Sequence, residues 1–343
     1  MKKLLATLLA AALLAAGVTS ASAQEVKKVT CLEGLLNPSG LVMQPGTNHL
    51  LVSDSGAGRI LCFHIDDWHY DKCILKFAKD IYGKGPMYDV GPLGMTFVGK
   101  TLVVGGGDQV DGKEVVYFFD VPPHGQTIEA SKAKFTAGPI PVGAAESPKG
   151  EGNFYGLAYT NNALYVTSNG DDTKGWILKT VVSKDGKPGE LKPFIATKPL
   201  VNVDAPVAIT VDSHGHLVVG QMGEMNVPGD SLLCIYDAKS GELVTSAKTG
   251  LSDIAGLAYG PKSKKLYAID FSWAKPEDGG LFELTLSGEE KGATVTTKKL
   301  CSLDKPAAMC FGTDGKLYVA EFGTQPEGSK DRPGRITMID ADL

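Results

Sequence analysis

Short apolar runs of roughly four to eight residues, rich in Val, Ile, Leu, Tyr and Phe, alternate along the chain with polar stretches built on Gly, Asp, Asn and Pro. No long stretch holds a helical period, so the pattern predicts strands separated by turns. One unit recurs: a Gly or Ala followed by three apolar residues, a short turn, a strand rich in Leu, Val and Tyr, a long polar loop, and another strand. Copies begin at Pro38, Pro92, Phe154, Pro206, Ile254 and Pro306. Their anchor residues Gly40, Gly94, Gly156, Ala208, Gly256 and Ala308 fall roughly 50 to 60 residues apart, a spacing suited to propeller blades. Strands that are apolar on both faces suit blades buried between neighbours. The predicted fold is therefore all-β, a six-bladed β-propeller of four-stranded antiparallel blades. In the first blade the strands are expected near 40–43, 50–53, 59–65 and 72–77.

The last copy stops at "RITMID" with three strands. The missing one is found at the other end, where "EVKKVTCLEGLLNP" resembles "TVTTKKLCSLDKP", the outer strand of the fifth blade. The segment from Val26 to Cys31 should complete the sixth blade and close the ring, leaving no sheet edge between first and last blades. Residues 24–343 are then one domain. Ahead of them, Lys2 and Lys3, an apolar run from Leu4 to Val18 and the Ala21-Ser22-Ala23 sequence read as a secretory signal peptide over residues 1–23. The expected location is secreted or periplasmic, with no membrane association after cleavage.

Composition narrows the partners. A formal net charge of -5 gives no electrostatic basis for gripping phosphate backbones, so nucleic acid is not an expected partner, and the chain reads as a monomer. Export permits disulfides, and Cys62 with Cys73, flanking one hairpin, is the favoured pair; the alternative is that all six cysteines are small buried apolar residues. No cysteine pair has the C-x-x-C spacing of a zinc or thiol-redox site. His214 and His216 have an H-x-H spacing but fall on a short turn, and His64 and His69 read as surface residues.

The glycines of "LLVSDSGAGRI" could suggest a phosphate-binding loop, but nothing helical follows Gly58 and the loop recurs in every blade. It is the turn between second and third strands. These loops are long, and they emerge at the same end of the ring as the blade-to-blade links, so this end, the top, is the expected site.

"LLVSDSGAGRILCF" resembles an NHL repeat, and "GTDGKLYVAEFG" with "PGRITMID" resembles the closing blade of the regucalcin/gluconolactonase-like superfamily of six-bladed propellers. The resemblance implies a divalent-metal site at the top of the central channel and a lactonase or related hydrolase activity. Metal ligands in such proteins sit directly before the anchor glycine, where this chain has Ser39, Leu93, Tyr155, Val207, Ala255 and Ala307, none a carboxylate or amide. Glu33 stands too early for the family's glutamate ligand.

Other polar groups could line the same mouth. The second strands end at Asp54, Gly106, Ser168, Gln221, Asp270 and Glu321, so blades five, six and one offer an acidic arc. Asp54, Asp270 and Glu321 are candidate ligands for Ca²⁺ or another divalent cation, with Glu321 and Asp270 the candidate catalytic pair; each could equally cap its own turn. Asn153, Tyr155, Asp204, Asp253 and Lys305 are candidate ligand-binding residues, and Phe154, Phe271, Trp273 and Phe322 could form an apolar wall or pack between blades. Two functions remain open: a metal-dependent hydrolase of a small lactone, ester or sugar derivative, or a non-catalytic propeller binding a small molecule or protein through its top loops.

Overall fold

The computed structural model describes residues 26–343 apart from 84–85, 171–173, 289–291, 328, 330 and 342, so the expected signal peptide lies outside the described residues. Six antiparallel sheets are arranged in a ring, each built around the four-strand meander that the repeat predicts. In the first blade the strands are Pro38–Met43, His49–Asp54, Arg59–His64 and Tyr70–Leu75. The innermost strands of successive blades touch one another in order, and that of blade six touches that of blade one. The N-terminal strand Lys27–Leu35 pairs antiparallel with Gly334–Asp340 along its whole length, which closes the ring as the sequence predicts. Among the described residues no helix is long and apolar enough to cross a membrane.

There is no single core. The buried apolar side chains fall into six clusters, each made by the facing surfaces of two neighbouring blades. Alternation along the strands produces this: Leu50 and Val52 point into the layer shared with blade six, and Leu51 between them points into the layer shared with blade two. The anchor positions are small because the blades converge at the axis. A Cβ placed on Gly94 would stand 1.8 Å from the Tyr155 carbonyl oxygen, and one on Gly40 would stand 2.3 Å from that of Leu93.

Three features depart from the expected pattern. A hairpin, Asp80–Tyr82 with Tyr88–Val90, occupies the link between blades one and two. The chain leaving blade two's third strand runs over to blade one, where Ile128–Glu129 adds in parallel to Tyr70–Leu75 and makes that sheet five-stranded, before Phe135–Ala137 completes blade two. Cys62 and Cys73, expected to pair, are both buried free thiols. The register places Asp71 opposite Cys62, and Cys73 lies in the bulge between Lys72 and Ile74. All six cysteines are free.

Candidate functional site at the top of the channel

The polar residues that end the second strands share one role. Asp54 accepts the Leu36 N–H at 2.7 Å and Arg59 Nε at 2.6 Å. Asp270 accepts the backbone N–H groups of Ser252, Asp253 and Ser272 at 3.0, 2.7 and 3.1 Å. Glu321 accepts the Asp304 N–H at 2.6 Å, both Nε and Nη2 of Arg335, and the Thr337 hydroxyl. Gln221 donates to the Val203 carbonyl at 2.8 Å, and Ser168 donates to that of Gly152 at 2.9 Å. Each side chain ties the link arriving from the preceding blade to the end of its own second strand, and Asp54 and Glu321 reach the third strand as well. Buried N–H groups on these links would otherwise lack partners.

The acidic arc is thus three separately satisfied carboxylates. None of Asp54, Asp270 and Glu321 lines the cavities at the mouth. Glu321 instead borders a separate cleft of about 720 Å³ with Asp304, Arg335 and residues of the N-terminal strand.

At the mouth two spaces adjoin. A small apolar recess of about 60 Å³ is lined by Tyr82, Tyr88, Val90, Leu93, Tyr155, Val207, Met222, Ala255, Phe271, Trp273 and Phe322, with Ser39, Asn153 and Asn169. Beside it, sharing Tyr82, Asn153, Asn169 and Trp273, lies a cleft of about 1200 Å³ bordered by Asp80, Asp111, Lys198, Asp204 and Glu224. The recess wall is a set of edge-to-face aromatics: Tyr88 stands 5.3 Å from Trp273, 5.1 Å from Phe322 and 6.3 Å from Phe271. Tyr155 crosses the axis from blade three to donate its hydroxyl to the Ala307 carbonyl of blade six at 2.8 Å, and burial pushes its phenol well above the usual range.

The candidate binding residues divide accordingly. Tyr155 and Asn153 line the recess, and Asp204 borders the cleft, ion-paired to Lys198 at 2.6 Å. Asp253 is buried beneath: its Oδ2 accepts the Trp273 N–H at 2.5 Å, and its carbonyl accepts that of Phe271 at 2.9 Å. With Asp270 on Ser272, it fixes the Phe271-Ser272-Trp273 turn that builds the wall. Burial pushes Asp253 up to about 7. Lys305 turns away to Thr324 Oγ1 at 2.9 Å. Phe271, Trp273 and Phe322 do form an apolar wall, whereas Phe154 is fully buried in the layer between blades two and three. Tyr82 and Tyr88, from the 80–90 hairpin, are the contributors that the repeat pattern did not reveal. Asn169 Oδ1 is buried with no hydrogen-bond partner among the described residues, so the site presents an unused acceptor.

The residues before the anchors do not fit a divalent cation. Leu93, Val207, Ala255 and Ala307 bring no side-chain oxygen, and Tyr155 is committed to Ala307. Among the described residues, the lining of the recess includes no carboxylate, imidazole or thiol.

Below the cleft, Glu114 is 1% exposed and accepts the Asn153 N–H at 2.5 Å. Burial pushes it up to about 9 from 4.5, so the folded protein keeps a proton that the unfolded chain releases above about pH 4.5. Stability from this group is present in full below pH 4.5 and is lost as pH rises toward 9. Glu114→Gln, which mimics the protonated acid, should raise Tm by roughly 2 °C or more at pH 8 and change little at pH 4. Calorimetric melts at the two pH values check this.

Neither a protein-family model nor a curated protein matches the sequence. Solved structures share the fold. The PQQ-bound form of an aldose sugar dehydrogenase from Streptomyces coelicolor aligns with a TM-score of 0.62 at 16% identity, over 92% of this chain and 98% of that one. A gluconolactonase from Xanthomonas campestris aligns with a TM-score of 0.60 at 13% identity, over 92% and 90%. A luciferin-regenerating enzyme gives 0.58 at 11%, over 92% and 95%. These likenesses show the β-propeller fold that the repeat predicts.

Proposed function

We propose that this chain is an exported, monomeric, non-catalytic propeller that binds a small molecule at its top face, one with an apolar body and a cationic or hydroxyl-rich end. The carrying observation is the aromatic recess, set where the resemblance would place metal ligands and opening beside a cleft bordered, among the described residues, by Asp80, Asp111, Asp204 and Glu224 against one lysine, Lys198. An apolar wall with a few polar groups is the usual make-up of a small-molecule site. Carboxylates beside aromatic faces favour ammonium groups and hydroxyls over anions. The sugar-directed names of the dehydrogenase and the gluconolactonase agree with a hydroxyl-rich end.

Calorimetric titration with a panel of amines, polyols and lactones tests this. A binder should be found among the neutral or cationic compounds, and Trp273→Ala should weaken it at least tenfold. Lactone hydrolysis that requires an added divalent cation and disappears with a chelator would overturn the non-catalytic reading. Binding indifferent to Trp273→Ala would place the site elsewhere.

A further inference from the structure

Four of the six histidines, His49, His64, His69 and His124, gather at the bottom of blade one, on the opposite face from the aromatic recess. The His64 ring lies 4.4 Å from that of His49 and 4.8 Å from that of His124. One carboxylate stands among them: Asp71 Oδ2 is 3.3 Å from His64 Nε2 and 3.2 Å from His124 Nδ1, and its Oδ1 is 3.6 Å from His69 Nε2. His64, expected at the surface, has a side chain only 14% exposed.

We propose that His64, Asp71 and His124, with a water in the fourth position, form a binding site for a divalent transition-metal ion of the zinc class. Three observations carry this. The ligand atoms of His64, Asp71 and His124 all lie within 4.8 Å of one another. At zinc bond lengths of about 2.0–2.2 Å, tetrahedral ligand atoms stand about 3.4 Å apart, and the two Asp71 separations match that edge. Imidazoles with one carboxylate are a donor set suited to zinc and its neighbours in the first transition row.

The second observation is space. A cavity of about 210 Å³ is lined by His49, Asp71 and His124, so an ion and a water can enter between them. The third is the chain path. His124 belongs to blade two and reaches the cluster only because the chain crosses to blade one, where Thr127 Oγ1 donates to the Lys72 carbonyl at 2.7 Å and Ile128–Glu129 joins the sheet. Pro122 and Pro123 stiffen the approach. A bound ion would fasten blade two to blade one.

The second group, Asp212 with His214 and His216, also has its ligand atoms within 4.8 Å of one another, but it lies within one short turn and joins no separate segments of the chain. Asp212 Oδ1 already accepts the backbone N–H groups of both His214 and His216 at 2.8 Å, so that cluster is a capped turn within one loop.

The test is isothermal titration of the purified chain with Zn²⁺, together with melts in its presence. One equivalent should bind, His64→Ala and His124→Gln should each weaken binding at least tenfold, and the His214→Ala/His216→Ala double variant should leave it unchanged. Zn²⁺ should raise the Tm of the unmodified chain and not that of His124→Gln. His124 has a side chain 62% exposed on a loop, so this variant keeps the fold and reports on the ion alone. No binding, or binding that survives both single variants, overturns the assignment, as does a site lost only in the double variant.

Discussion

Deletion of residues 24–36 is expected to replace a cooperative unfolding transition with aggregation or a broad melt at low temperature. The strand Lys27–Leu35 is the outer strand of blade six, and without it Gly334–Asp340 becomes an open edge. Leu32 and Leu35 are buried, Cys31 is buried, and all three belong to the layer between blades six and one. Losing three buried apolar side chains removes on the order of 5 kcal/mol, before the loss of the ladder of backbone hydrogen bonds. Total stabilities of about 5–15 kcal/mol leave little after that. Calorimetry and size-exclusion chromatography of the deleted and complete chains provide the comparison, and equal, reversible melts would refute ring closure as a source of stability.

The second large effect is expected at Glu321. Its carboxylate is 2% exposed and holds Arg335, the Thr337 hydroxyl and the Asp304 N–H, so it connects the last strands of the ring to the link from blade five. Glu321→Ala leaves a half-buried guanidinium and a backbone donor without a partner, a loss of about 3 kcal/mol. Arg335 retains 30% exposure, so water compensates part of the loss and the upper end of the range is not expected. Replacing both partners, Glu321→Leu with Arg335→Met, should recover much of the stability, because no charge is then stranded. Urea denaturation of the single and double variants measures the difference. A Glu321→Ala midpoint equal to that of the unmodified chain would show that the ring of second-strand termini is decoration.

The repeat was legible because blade architecture writes itself into every copy: small anchors where inner strands converge, alternating apolar residues where two layers are filled at once. Closure was legible for the same reason, since Glu25–Pro38 carries the pattern of an outer strand. The roles of the carboxylates were not legible. A ligand and a turn cap call for the same residue types at the same positions, and only coordinates show that Asp54, Asp270 and Glu321 spend their oxygens on nearby N–H groups and arginines. The 80–90 hairpin is not legible in the repeat because it interrupts the pattern with an exposed Ile81 and Met87, although "YGKGPMY" carries a turn signal. The histidine cluster has no motif to read. Its members are spread from position 49 to position 124, and the crossing of one segment between blades brings them together.

The bar that Tyr155 makes from blade three to blade six lies within the lining of the recess, so one side chain serves both the site and the bracing of opposite blades. A guest that presses on this phenol presses also on that brace, so occupancy of the recess and rigidity of the ring are linked through the same residue.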